Sequence, residues 1–192
     1  MQLILFGPPG AGKGTQAVAI SEEFSLAHIA TGDILRENVT NRTELGTQAK
    51  QYMDQGDLVP DDVVIAMVEE RIRRDDAARG FLLDGFPRTV AQAKALDDAL
   101  AGDGRAIDAV IRLLVDDDEL ISRLLRRARE QGRSDDTREV IQRRLAVYRE
   151  DTEPLVELYR ERGLLRDIEG MGDIAAVRER VLATIREVGR SA

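Results

Sequence analysis

The chain contains no cysteine and no tryptophan, and only 4% of its residues are aromatic. Without cysteine there can be no disulfide bond and no thiolate zinc site, and the core must be mainly aliphatic. No apolar run approaches the roughly 20 residues that a membrane-spanning helix requires. The N-terminus also lacks the basic start of a signal peptide. We therefore expect a cytoplasmic protein that has no membrane partner.

The 192 residues carry a formal net charge of −8, and 43% of them are hydrophobic. This length and composition predict a single domain with a substantial core. An acidic surface repels the phosphate backbone of nucleic acids, so we expect no nucleic-acid partner. A small anionic ligand is compatible with the net charge if cations are concentrated in one cleft.

A glycine-rich loop follows the first apolar run. Gly-Pro-Pro-Gly-Ala-Gly-Lys-Gly-Thr ends at Thr15 and precedes a helical pattern, which is the layout of a P-loop. The glycines allow backbone N–H groups to point at an anion, the helix N-terminus adds positive potential, and Lys13 can reach the outer phosphates. In the general pattern Ser or Thr comes directly after the lysine, whereas here Gly14 stands there and the hydroxyl follows at Thr15.

Apolar segments alternate with amphipathic helical patterns along the chain. This alternation predicts an α/β fold with a parallel sheet covered on both faces, and ligands bind at the carboxyl ends of such strands. The segments 7–15, 31–33 and 84–88 each follow a predicted strand. Strands are predicted at Gln2–Phe6, 27–29, 80–83, Ala109–Leu114 and 164–168, and helices near 13–24, 32–39, 42–54, 61–74, 89–101, 117–130, 137–161 and 173–188.

Of three further polar side chains, Asp84 and Gln92 each have two interpretations and His28 has one. Asp84 suits Mg²⁺ or its waters, although Asp-Gly is also a common turn pair. Gln92 shares a helix face with Arg88, but Thr89-x-x-Gln92 also fits a capping box. His28 precedes a short predicted strand and has no Ser or Cys constellation around it, so we interpret it as structural.

Helix periodicity separates inward-facing from outward-facing arginines. With Val140 at 0°, Arg144 lies at ~40°, within the apolar arc, and Arg143 lies at ~300°, outside it. On the preceding helix Arg127 borders the apolar face and Arg126 points away. An inward guanidinium needs an anionic partner, which is either a ligand or a structural salt bridge.

The polar segment 130–136 between these two helices is a candidate lid. Asp136-x-x-Glu139 has the form of a helix cap. Asp135 and Asp136 are therefore interpreted either as capping residues or as partners that hold Arg127 or Arg133.

Five motifs, in this order, resemble the adenylate kinase family in its short-lid form: GPPGAGKGTQ from Gly7, TGDILR (31–36), GDLVPDDVV (56–64), DGFPRTVAQ (84–92) and GRSDDT (132–137). The resemblance implies the reaction MgATP + AMP ⇌ 2 ADP. It also implies a P-loop, three-layer α/β/α fold with a five-stranded parallel sheet in one domain, 1–192. The core would comprise 1–30, 60–125 and 137–192, with an inserted helical NMP-binding lobe at 30–59 and a short lid at 126–136.

The resemblance assigns roles residue by residue. Lys13, Arg88, Arg127, Arg133 and Arg144 are expected to be catalytic. Asp84 is expected to serve Mg²⁺, through water, and Asp135 and Asp136 to support the lid. ATP is expected at Gly10, Ala11, Gly12, Lys13, Gly14, Thr15, Arg127 and Gly172, and AMP at Thr31, Arg36, Asp57, Leu58, Val59, Gly85, Phe86, Pro87, Arg88, Gln92, Arg133 and Arg144.

Two features of the family pattern bear on alternatives. The lid is only about ten residues long, so we expect no structural zinc, and the family expectation is a monomer.

A UMP/CMP kinase on the same fold is the nearest alternative, but Thr31 and Gln92 favour AMP, since relatives that take UMP or CMP tend to differ at these positions. A nucleotide-binding switch module is disfavoured because the sequence has no Asn-Lys-x-Asp segment.

Overall fold

The computed structural model describes residues 1–131 and 137–191. Its centre is a five-stranded parallel sheet in the order β2-β3-β1-β4-β5, which confirms the predicted α/β class. The strands are β1 (Gln2–Phe6), β2 (Ala27–Ala30), β3 (Phe81–Asp84), β4 (Ala109–Leu114) and β5 (Leu165–Glu169). The helices in the described residues are α1 (Lys13–Phe24), α2 (Thr31–Thr40), α3 (Glu44–Gln55), α4 (Asp61–Ile72), α5 (Val90–Gly102), α6 (Asp117–Gln131), α7 (Arg138–Val147), α8 (Pro154–Glu161) and α9 (Ile174–Ser191).

Helices cover both faces of the sheet. Successive side chains of a strand point to opposite faces, so Ile4 and Phe6 join one buried cluster and Leu3 and Leu5 join the other. Each fully buried apolar side chain of this kind stabilises the fold by about 1.5–3 kcal/mol. Burial on both faces explains why the strands are almost uninterrupted apolar runs rather than alternating ones.

The stretch predicted as helical over 137–161 is helical, but it is not one continuous α-helix. The described part of this segment is α7, then a π-helical segment at Tyr148–Thr152, then α8. The Glu153 N–H donates to the Tyr148 carbonyl, five residues back, at 2.8 Å. Proline at 154 has no N–H to continue an α-helical ladder, and its ring would clash with the carbonyl four residues back, so the turn widens before it.

The strand order places three connecting segments side by side. The carboxyl ends of β2, β3 and β1 are neighbours, so the P-loop, the start of α2 and residues 84–88 meet at one edge. Helices α2 and α3 contact each other closely: a Cβ on Gly46 would lie 2.1 Å from the Asn38 carbonyl oxygen. The division into core, NMP-binding lobe and lid stays a prediction. No helix in the described residues combines the length and apolarity that crossing a membrane requires.

Candidate active site

The loop after β1 holds its lysine over its own carbonyl groups. Gly12 precedes α1 with a left-handed φ of 90°, which an L side chain rarely adopts. The Lys13 Nζ donates to the Gly7 carbonyl at 2.7 Å and to the Pro8 carbonyl at 3.0 Å. The ammonium group is therefore held by the carbonyl groups of the first two residues of the loop.

Gly10 is required by the packing of the loop against α6. Its φ is +87°, and a Cβ there would lie 2.9 Å from the Leu120 carbonyl oxygen. Neither the backbone conformation nor the space admits a side chain without displacement of the helix. The glycine pattern read from the sequence is thus fixed partly by tertiary contact with a helix about 110 residues further along the chain.

One cavity brings together cations that are distant in sequence. Lys13, Arg36, Arg88, Arg127 and Arg144 all line it, together with Asp33, Asp84 and the P-loop glycines Gly10, Gly12 and Gly14. A concave site with this many cations attracts anions even on a protein of net charge −8. We call it the central cavity.

The pKa of Lys13 is lowered by burial and, to a smaller extent, by neighbouring positive charge. Burial, together with the charges of Arg88, Arg144 and Arg127, lowers this pKa to about 8, although Asp84 opposes the shift. An anion that enters the cavity would stabilise the charged form of this lysine and raise its pKa.

Asp84 lies at the end of β3 in the same cavity, with a side chain that is 14% exposed. Burial alone would raise the pKa of Asp84, but His28, Lys13 and Arg88 bring it below its ordinary value, so the carboxylate is ionised at neutral pH. The His28 Nε2 is 3.8 Å from the Asp84 Oδ2, too far for a hydrogen bond but close enough to influence the charge. The histidine that we interpret as structural therefore also contributes to the electrostatics of this cavity.

A second cavity adjoins the first and shares Arg36, Arg88 and Arg144 with it. We call it the acceptor cavity because most of the residues expected to bind AMP line it. Its walls combine polar groups with apolar side chains from α2, α3 and α4, as expected of a site for a small organic ligand. The acceptor cavity is lined by Thr31, Gly32, Leu35, Arg36, Met53, Gly56, Asp57, Leu58, Val59, Val64, Gly85, Arg88, Gln92 and Arg144.

Thr31 and Gly85 contact each other in the wall of the acceptor cavity, and Gly85 also lines the central cavity. Thr31 is 2% exposed, and its hydroxyl donates to the Gly85 carbonyl at 3.0 Å. Gly85 has a φ of +82°, and a Cβ on it would lie 3.0 Å from the Thr31 Oγ1. A side chain at position 85 would intrude on this contact.

The backbone of Arg88 is held on both sides. Its N–H donates to the Gln92 Oε1 at 2.7 Å, and its carbonyl accepts from the Thr152 hydroxyl at 3.0 Å. Its side chain is held as well, because Nε donates to the Gly85 carbonyl at 2.8 Å. Burial and the nearby Arg36 lower the pKa of Arg88, with Asp84 opposing. Thr152 lies in the π-helical segment, and no sequence motif indicated it.

Gln92 serves the helix cap and still lines the acceptor cavity. Its main-chain N–H donates to the Thr89 Oγ1 at 3.2 Å, while its side-chain Oε1 accepts from Arg88. Its Nε2 donates to the Asp61 Oδ1 at 2.7 Å. The two interpretations left open by the sequence are therefore compatible. Asp61 belongs to the GDLVPDDVV motif, but no pattern in that motif distinguishes it from its neighbours.

Other arginines have partners that the sequence did not indicate. Arg36 is paired with Asp33, and the exposed Arg143 contacts Asp57 at 2.6 Å, which ties α7 to the acceptor cavity. Arg123 is a further arginine beside the P-loop that no sequence pattern singled out. A Cβ on Gly12 would lie 3.9 Å from its guanidinium. The signal that could have found it is its position four residues before Arg127 on the same face of α6.

The remaining predicted residues lie in several places. Phe86 and Pro87 line a neighbouring cavity together with Lys13 and Arg144. Three residues expected to bind ATP are not among the described residues that line the central cavity: Ala11, Thr15 and Gly172. Arg133, Asp135 and Asp136 lie outside the described residues, and the N-cap of α7 is Thr137, whose hydroxyl accepts from the Val140 N–H at 3.3 Å.

Comparisons with known proteins agree on one family. Residues 5–164 match the sequence model of the family described as "Adenylate kinase". The chain is 52% identical to an adenylate kinase of Thermobifida fusca over 97% of this chain and 98% of the relative. It is 50% identical to one of a Nocardioides species over the full length of both, and 49% identical to one of Stenotrophomonas maltophilia over 97% and 100%.

Proposed function

The chain belongs to the adenylate kinase family and catalyses reversible phosphoryl transfer between ATP and AMP, and we propose that the transfer takes place in the central cavity. In this proposal ATP lies on the P-loop and AMP lies in the acceptor cavity. A phosphate oxygen of AMP attacks the γ-phosphorus of ATP, the bond from that phosphorus to the bridging oxygen breaks, and two ADP molecules result.

The observation that carries this proposal is the shared wall of the two cavities. Arg36, Arg88 and Arg144 line both, and Lys13 and Arg127 line the central one. MgATP and AMP together bring about four net negative charges, which these five cations would neutralise.

The chemistry requires alignment and neutralisation more than proton transfer. A nucleoside monophosphate is mostly dianionic at pH 7, since its second pKa is about 6, so its oxygen is already a nucleophile. We assign Lys13 and Arg127 to the ATP phosphates, Arg36 and Arg88 to the AMP phosphate, and Arg144 to the group in transfer. Cations positioned where charge develops in the transition state are the main source of acceleration in such reactions.

Asp84 is the side chain that suits magnesium. It is an ionised carboxylate beside the P-loop: a Cβ on Gly14 would lie 3.8 Å from its Oδ2. A single carboxylate matches Mg²⁺, which keeps several waters and takes its other ligands from nucleotide phosphates. When bound, Mg²⁺ would neutralise phosphate charge, and Asp84 would hold it through water.

The other roles in the proposal extend beyond the two cavities. Arg133 would act on the transferring phosphates, Asp135 and Asp136 would support a lid at 126–136, and Gly172 would approach the ATP adenine. We further propose that the enzyme is a cytoplasmic monomer that has no structural zinc. None of the described contacts favours UMP or CMP over AMP.

The proposal is tested by a screen of nucleoside monophosphates with ATP. AMP should be the best acceptor, ADP should form with magnesium, and EDTA should abolish its formation. If UMP or CMP is a better acceptor than AMP, the assignment of the acceptor cavity is wrong. If Asp84→Asn leaves the magnesium dependence of the rate unchanged, the metal assignment is wrong.

A further inference from the structure

The side-chain amide of Gln92 is held at both ends. Its oxygen accepts the Arg88 N–H at 2.7 Å and its nitrogen donates to the Asp61 Oδ1 at 2.7 Å. The side chain is deeply buried, since the residue is only 2% exposed, and it lines the acceptor cavity. The amide therefore has one defined polarity, with its oxygen toward Arg88 and its nitrogen toward Asp61.

Asp61 can accept hydrogen bonds but cannot donate them. It begins α4, and its second oxygen, Oδ2, accepts from the Thr89 hydroxyl at 2.8 Å, which fixes the carboxylate against α5. Rotation of the Gln92 amide by 180° would place its oxygen against the carboxylate and its NH₂ against the Arg88 N–H. Both contacts would change from attractive to repulsive, and one of them involves a charged group.

The amide retains hydrogen-bonding capacity beyond these two contacts. A glutamine amide has two N–H donors and two oxygen lone pairs, and each contact uses one. The other donor and the other lone pair form an adjacent donor–acceptor pair on a residue of the cavity wall. Such a pair complements the adenine edge, which presents the acceptor N1 next to the 6-amino donor. A 6-oxopurine presents the reverse, an N1–H donor next to a carbonyl acceptor.

We propose that Asp61 is a positioning residue that fixes the polarity of the Gln92 amide and thereby makes the acceptor site select 6-aminopurines over 6-oxopurines. The proposal rests on the proposed function, in which AMP lies in the acceptor cavity, and it adds that the base of AMP lies against Gln92. A freely rotating amide would serve either type of base, whereas one held by Asp61 and the Arg88 N–H rejects the reversed edge. Asp61 acts through Gln92 and needs no contact with the nucleotide.

The test is the ratio of kcat/KM for AMP to kcat/KM for IMP, with ATP as donor. IMP differs from AMP only at the 6-position edge, and the ratio does not depend on the fraction of enzyme that is active. Asp61→Asn keeps the size of the side chain but supplies an N–H that can face a rotated Gln92 oxygen. We expect the ratio to fall by at least about tenfold, since a well-placed bidentate contact to a base edge discriminates by roughly that factor or more. Asp61→Ala, which removes the acceptor, should also lower it.

The matched control is Asp62→Asn, because Asp62 is the next residue of α4, carries the same charge and is exposed. Its ratio should equal that of the wild type. If Asp61→Asn and Asp61→Ala keep the wild-type ratio while Gln92→Ala lowers it, Gln92 reads the base without help from Asp61, and the inference is refuted alone. If Gln92→Ala leaves the ratio unchanged, the base does not lie at Gln92, and the acceptor assignment fails with it.

Discussion

Binding of ATP should be accompanied by uptake of a proton at Lys13. Burial and the neighbouring arginines lower the pKa of Lys13 to about 8. Anionic phosphates in the central cavity favour the charged ammonium and should return the pKa toward its ordinary value of about 10.4. The protein should therefore take up protons on binding at alkaline pH and hardly at all at neutral pH.

The magnitude follows from the two pKa values. At pH 7 about 0.9 of Lys13 is already protonated in the free enzyme, so the expected uptake is about 0.1 proton. At pH 9 only about 0.1 is protonated before binding and nearly all after it, so the uptake should be about 0.9 proton. The measurement is calorimetric titration of ATP in buffers of different ionisation enthalpy at each pH.

Through Lys13, a rise in pH should increase the free energy of unfolding but decrease the affinity for ATP. Between the folded pKa of about 8 and the unfolded value of about 10.4, the unfolded chain binds more protons at this site, so the Lys13 contribution to the free energy of unfolding rises with pH. Over the same window the affinity for ATP should fall, because charging Lys13 must precede or accompany binding.

Control variants make this prediction refutable. Lys13→Met should bind ATP more weakly and lose the uptake at pH 9, whereas Lys94→Met, which changes an exposed lysine, should keep it. The chain has only three lysines, at 13, 50 and 94, so the background at this pH is small. An uptake near 0.1 proton at pH 9, or the same uptake in Lys13→Met, would refute the reasoning.

Three further predictions concern the contacts around the cavities. Arg144→Ala should lower kcat/KM by about 10²–10³-fold without a matching loss of stability. Steady-state kinetics and thermal unfolding measure the two quantities. Loss of stability alone would instead indicate a structural salt bridge. Thr152→Val removes the hydroxyl that donates to the Arg88 carbonyl and should lower the free energy of unfolding by about 0.5–1.5 kcal/mol in urea titrations, and no change would show that this contact is not stabilising. Arg143→Ala breaks the exposed contact to Asp57 and should raise KM for AMP a few-fold at low salt only; an effect that persists at 1 M salt would contradict an electrostatic origin.

Local patterns were enough to predict the sheet and the P-loop. The apolar run before Gly7, the glycine-rich loop and the helical pattern after it are consecutive in the chain. Their strand–loop–helix layout could therefore be predicted without knowledge of tertiary contacts. Helix periodicity likewise distinguished the half-buried Arg144 from the exposed Arg143, because the faces of one helix are set by its own sequence.

Contacts between distant segments could not be predicted in this way. Asp61 meets Gln92 only because α4 packs beside α5, and Thr152 meets Arg88 only because the turn before Pro154 is widened. Both residues are ordinary polar positions in the sequence, and their partners lie 31 and 64 residues away. Arg143 lies outside the apolar arc, as its helix periodicity predicts, but its contact with Asp57 depends on where α7 lies against the loop after α3.

The π-helical segment has a consequence for how this chain can vary. Residues 149–151 are exposed, so many side chains should be acceptable there, yet their number is constrained. Each residue of an α-helix advances the chain by ~100° and ~1.5 Å. Deletion of one of them would restore an ordinary α-helical turn and carry Thr152 about 100° around the axis, away from the Arg88 carbonyl. This surface segment should therefore tolerate substitution freely among homologous sequences while showing almost no insertions or deletions.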